Sequence, residues 1–112
     1  MASFKRGDVI KVPFPYTDRA TRQHRPALVV SSAQLEDAHG LLWVLMITSA
    51  ENRGWAGDVA IADLETAGLP AASVIRTAKI ATIEAADGAQ LGRISSSILK
   101  RVMSRIEREM AE

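Results

Sequence analysis

The stretch from Gly7 to Ser32, GDVIKVPFPYTDRATRQHRPALVVSS, constrains this chain most, because it joins two apolar strand patterns across a loop rich in positive charge. Val9, Ile10 and Val12 mark a short strand that Pro13 and Pro15 are expected to stop, since proline brings no N–H to a sheet interior and fixes its own φ. Tyr16 to His24 is then loop. Ala27, Leu28, Val29 and Val30 form a near-continuous apolar run, the pattern of a strand buried on both faces, and Arg25-Pro26 stands at its entrance. A guanidinium is thereby placed at a rigid rim.

The rest of the chain reads as strands first and one clear helix last. Ser31 to Gly40 predicts a helical turn around Ala33 to Ala38, with His39 a turn residue before Gly40. Leu41 to Thr48 is apolar and rich in large side chains, which predicts a central strand and makes Trp43 a core residue. Ala50 to Gly57, where Gly54 and Gly57 flank Trp55, reads as an exposed loop. Val59 to Ala62 suits a short strand and Asp63 to Gly68 one helical turn. Ser73 to Glu84 reads as a long strand with a bend or bulge, because Ile80 and Ile83 are out of phase.

The period changes at the C-terminal end. Ile98, Leu99, Val102, Met103, Ile106 and Met110 recur at three and four residues with charged side chains between them, the signature of an amphipathic helix. Ser95 suits its N-cap, without a capping box because Ile98 occupies the position three residues on. Met103 and Met110 read as core or dimer contacts. The fold class expected is mainly β with a C-terminal helix, a small antiparallel β-barrel covered by that helix.

Composition excludes several kinds of chemistry. A chain of 112 residues suits one domain. Without cysteine there is no disulfide framework and no thiolate nucleophile or metal ligand, and His24 and His39 are far apart with no carboxylates at ligand spacing. No metal or other cofactor is expected. The longest apolar run, Leu41 to Ile47, is far below the roughly 18 residues of a membrane span, and MASFKRGD lacks a hydrophobic signal core, so a cytoplasmic location with no membrane partner is expected. Net charge is +1, yet Lys5 to Arg25 carries six Lys/Arg against Asp8 and Asp18. A basic face is compatible with a balanced total.

GDVIKVPFPYTD, RPALVVSS and the later ITS at Ile47 to Ser49 resemble the MazF/PemK (Kid) family of toxin endoribonucleases. SVIR at Ser73 to Arg76, Lys79-Ile80 and LGRIS at Leu91 to Ser95 stand in the same order, so the resemblance spans nearly the whole chain. It implies the barrel fold shared by the MazF, Kid and CcdB toxins. It also implies a metal-independent ribonuclease that cuts single-stranded RNA at a short sequence and leaves a 2′,3′-cyclic phosphate. The expected partners are single-stranded RNA, a separately encoded antitoxin, and a second copy of the chain in a homodimer.

Such cleavage requires the ribose 2′-OH to attack phosphorus, so the site must remove one proton, supply another, and neutralise charge growing on the phosphoryl oxygens. Arginine suits the last task because its planar fork matches phosphate oxygens and stays charged. By resemblance, Arg25 and Thr48 are the catalytic pair. Asp18, Arg22, Ser49, Arg53, Trp55, Arg76 and Lys79 are the expected RNA-binding residues. Arg25 read without the family would be a strand-end charge paired with Asp18. Kid-like members carry an aspartate two residues beyond the second arginine, whereas this chain has Ala78, leaving Lys79, Glu84 or His24 as substitutes for the base. Two rival readings are a CcdB-like topoisomerase poison that cuts nothing and an RNA-binding barrel without activity.

Overall fold

A computed structural model describes residues 3–14 and 23–112. Strand β1 (Asp8–Phe14) is followed by β2 (Gln23–Val29), α1 (Ala33–His39), β3 (Leu41–Ser49), β4 (Val59–Ala60), α2 (Leu64–Ala67), β5 (Ser73–Glu84), a 3-10 turn at Ala85–Asp87, β6 (Ala89–Arg93) and α3 (Ser96–Met110). The six strands form one sheet in the order β4-β5-β3-β2-β1-β6, each neighbour antiparallel, curled into a half-barrel.

Near-continuous apolar runs arise because both faces of the inner strands are covered. Leu28 and Val30 pack with Val9, Leu45, Ile47 and Ile75 against Ile98 and Val102 of α3. Ala27 and Val29, on the alternate face, pack with Ile10, Val12, Val44, Met46 and Phe4. Helix α3 begins at the expected cap, where Ser95 Oγ accepts from the Ile98 N–H at 3.2 Å. The irregularity expected in β5 lies where the β3–β5 register shifts between Leu45 and Met46. Arg76 lies opposite Met46 and Ile80 opposite Leu45, so Thr77 to Lys79 form the bulge.

Two expectations need correction. Strand β1 continues through Pro13, which pairs with His24, and Gln23 and His24 belong to β2 rather than to the loop. Proline is tolerated because the β6 ladder ends at Lys11, so β1 has an open side at Pro13 where a missing N–H breaks no bond. Trp43 is not a core residue: it is 46% exposed. It shares a face with Leu45 and Ile47, but lies beside a groove of about 1040 Å³ bordered by Leu35, Met103, Ile106 and Met110 instead of under α3. Beyond these, Ala89 to Arg93 forms a strand on β1, where Arg93 Nε makes an ion pair with Asp8 at 3.4 Å.

Candidate nucleic-acid interface

Three polar side chains share one face of the sheet. The β2–β3 ladder pairs Ala27 with Met46, and Arg25 and Thr48 each lie two residues beyond that pair toward the same end. Alternation therefore turns both to the face of Val12, Ala27 and Met46. Arg76 is opposite Met46 on β5 and shares that face, as antiparallel partners do. Arg25 and Thr48 are half-buried and Arg76 is 9% exposed. Ser49, opposite Ser73, ends β3, and Lys79 is exposed on the β5 bulge beside Ala78. Asp18 and Arg22 lie outside the described residues.

The loop between β3 and β4 is tied to this face by its own polar groups. Asn52 Nδ2 donates to Thr48 Oγ1 at 2.6 Å, and the Glu51 N–H donates to Ser49 Oγ at 3.2 Å. Farther along, the Trp55 N–H donates to Asp58 Oδ2 at 2.9 Å, and Thr77 Oγ1 donates to the Gly57 carbonyl at 2.9 Å. Arg76 grips the loop from beneath: Nε donates to Asp58 Oδ1 at 3.3 Å, and Nη2 to Asp58 Oδ2 at 3.0 Å and to the Arg53 carbonyl at 2.8 Å. Its Cζ lies 4.4 Å from the centroid of the Trp55 ring, a cation–π contact that leaves Trp55 40% exposed.

Burial works to raise the Asp58 carboxyl, but hydrogen bonds from Arg76 and the Trp55 N–H, together with the Arg76 charge, hold it below the usual carboxylate range. Asp58 and Asn52 were not anticipated from sequence. The available signals were an amide four residues past Thr48 and an acid directly ahead of a short strand. Among the described residues no group of three His, Asp or Glu side chains is disposed to hold a metal ion. What the face presents is guanidinium, hydroxyl and indole: charged donors for phosphate oxygens and a flat surface for a base.

An antiparallel half-barrel backed by a C-terminal helix is the fold of the MazF toxins. A MazE–MazF crystal structure from Deinococcus radiodurans superposes with a TM-score of 0.79 at 20% identity over 97% of this chain and 97% of that one. An endoribonuclease in complex with its cognate antitoxin, from a mycobacterial species, gives 0.75 at 15% identity, covering 98% and 95%. The Mycobacterium tuberculosis toxin MazF-mt6 gives 0.73 at 20%, covering 92% and 95%. None of the curated proteins compared by sequence matches the chain. Residues 5–110 match the model of the PemK-like, MazF-like toxins of type II toxin–antitoxin systems, and the chain belongs to that family.

Proposed function

We propose that this chain is a metal-independent endoribonuclease toxin, cutting single-stranded RNA at a short sequence and leaving a 2′,3′-cyclic phosphate. The observation that carries the reading is the common face of Arg25, Thr48 and Arg76 at the end of the β2–β3 ladder. In the reaction the ribose 2′-oxygen bonds to phosphorus, the 5′-oxygen leaves, and charge gathers on the phosphoryl oxygens. Arg25 supplies a planar, permanently charged donor for that charge. Thr48 adds a hydroxyl donor, with Ser49 beside it at the strand end.

Arg76, Lys79, Arg53 and Arg22 hold the flanking phosphates, and Asp18 accepts from a base or ribose donor. Trp55 offers its outer face to an unpaired base while Arg76 occupies the other. The partner in the cell is a separately encoded antitoxin that covers the RNA face, as solved relatives bound to antitoxin suggest. The active form is a cytoplasmic homodimer. Its contact face is the apolar patch of Trp43, Ile80 and Met110, all exposed, around the groove beside α3.

The decisive experiment incubates the purified protein with a long single-stranded RNA in excess EDTA and maps the fragment ends. Discrete cuts at a shared short sequence with cyclic-phosphate ends are expected. Intact RNA under all conditions, with inhibition of a topoisomerase instead, would replace this reading by the poison.

A further inference from the structure

Arg76 has more bonds inside the protein than a residue used only to attract RNA would need. Three N–H groups are committed, Nε and one of Nη2 to the two Asp58 oxygens and the other of Nη2 to the Arg53 carbonyl, and the ring of Trp55 covers one face of the plane. The remaining nitrogen, Nη1, has no hydrogen bond among the described residues and is not sealed from solvent. A guanidinium held at three N–H groups and one face has a single orientation, and only its Nη1 pair is left to donate.

We propose that Asp58 is a positioning residue: it locks the Arg76 guanidinium so that Nη1 alone is presented to an RNA phosphate oxygen. This rests on the ribonuclease reading above. Two other roles fit the geometry less well. As a substitute for the carboxylate missing at Ala78, Asp58 would be a weak base, because two hydrogen bonds from Arg76, one from the Trp55 N–H and the Arg76 charge stabilise its ionised form. As an anion competing with phosphate, it would have to block the available donors, yet it occupies Nε and Nη2 and leaves Nη1 untouched.

The roles separate by sign. Asp58→Asn removes a negative charge beside the RNA, so electrostatics alone would tighten binding and leave cleavage unchanged or faster. Loss of positioning instead slows single-turnover cleavage by about tenfold or more, while RNA affinity at fixed salt stays equal or rises. In an Arg76→Ala background the same substitution should change the rate by less than about twofold, because Asp58 acts through Arg76. A second readout needs no activity. In 15N spectra of the wild-type protein the Arg76 Nε–H should exchange slowly with water, and this protection should disappear in Asp58→Asn.

Wild-type cleavage by Asp58→Asn, an undiminished effect without Arg76, or an Arg76 Nε–H that exchanges as fast as that of exposed Arg101 would each overturn the proposal. If Asp58→Asn fails to fold, the wild-type exchange measurement still decides it. If the wild-type protein cuts no RNA, the enzymatic reading falls, and the exchange measurement still judges whether Asp58 fixes Arg76.

Discussion

Asn52 Nδ2 donates to Thr48 Oγ1 across 2.6 Å, so one lone pair of the hydroxyl is occupied and its proton must point elsewhere. A threonine fixed in this way is a better donor to phosphate than a free rotor. Thr48→Val keeps the branched shape and removes the hydroxyl, and single-turnover cleavage should fall by about 10²- to 10³-fold, the scale of one lost preorganised donor. Asn52→Ala should cost less, about tenfold, with the fold intact, since an exposed hydrogen bond contributes only about 0.5–1.5 kcal/mol. Equal rates for wild type and Thr48→Val on one labelled RNA would remove Thr48 from the mechanism.

Arg25 separates charge from shape. Arg25→Lys keeps the charge but loses the fork, so the cleavage barrier should rise by roughly 2 to 4 kcal/mol while RNA binding weakens far less. Arg25→Ala should abolish cleavage and leave the fold standing, as the residue lies beyond the last β2–β3 pair. The check is single-turnover cleavage measured beside affinity at one salt concentration. A lysine variant as fast as wild type would reduce Arg25 to an electrostatic attractor.

Much of this was legible in the sequence because the inner strands are covered on both sides. ALVV and LLWVLMIT could not be surface elements, and the period of Ile98, Val102 and Ile106 fixed the closing helix. Trp43 misled because alternation gives a face without saying whether a helix reaches it. Ala89 to Arg93 has little apolar pattern, and it became a strand through its pairing with β1. The rim residues could be placed from strand ends, whereas Asp58 meets Arg76 across 18 residues of sequence. The β4–β5 pairing brings them together: Val59 lies opposite Ile75, which sets Asp58 beside Arg76.

Gly68 and Gly92 let α2 seat against β6. Gly68 has φ +74, and a Cβ there would collide with the Leu91 carbonyl, while one at Gly92 would collide with the Thr66 carbonyl. Either change to alanine meets rigid backbone, and at Gly68 it also imposes a left-handed conformation on a residue with a side chain. A loss on the order of 2–4 kcal/mol is expected for Gly68→Ala, read by urea unfolding. Gly54→Ala, where a Cβ meets nothing, is the control and should unfold like wild type.

Asp58 and Asp63 both titrate below the ordinary carboxylate range, Asp63 because the Thr66 hydroxyl and backbone N–H donate to it. A carboxyl lowered by folding stabilises the fold above its unfolded pKa, near 4, and that stability is lost as pH falls through the folded value. Asp58→Asn should therefore melt below wild type at pH 7, and the gap in Tm should narrow as pH falls below the unfolded carboxylate value. A gap independent of pH would mean that the Asp58 charge adds nothing to stability.

The proposed homodimer makes a prediction at a distance from the chemistry. Ile80 is 53% exposed and lies opposite Leu45 on the α3 side of the sheet, away from the face of Arg25 and Thr48. A glutamate there is solvated in the lone protomer, so Ile80→Glu should cost the fold little, about 0.5 kcal/mol or less. In a dimer closed over Trp43 and Ile80 the same charge is buried without a partner. Self-association should weaken by at least about thirtyfold, the scale of losing one hot-spot residue, as read by sedimentation velocity across a dilution series. If the proposed site draws on both protomers, cleavage should decline in parallel with the dimer fraction. A variant that stays dimeric at every concentration would move the interface to another face, and a monomer that cuts at the wild-type rate would show that one protomer holds a complete site.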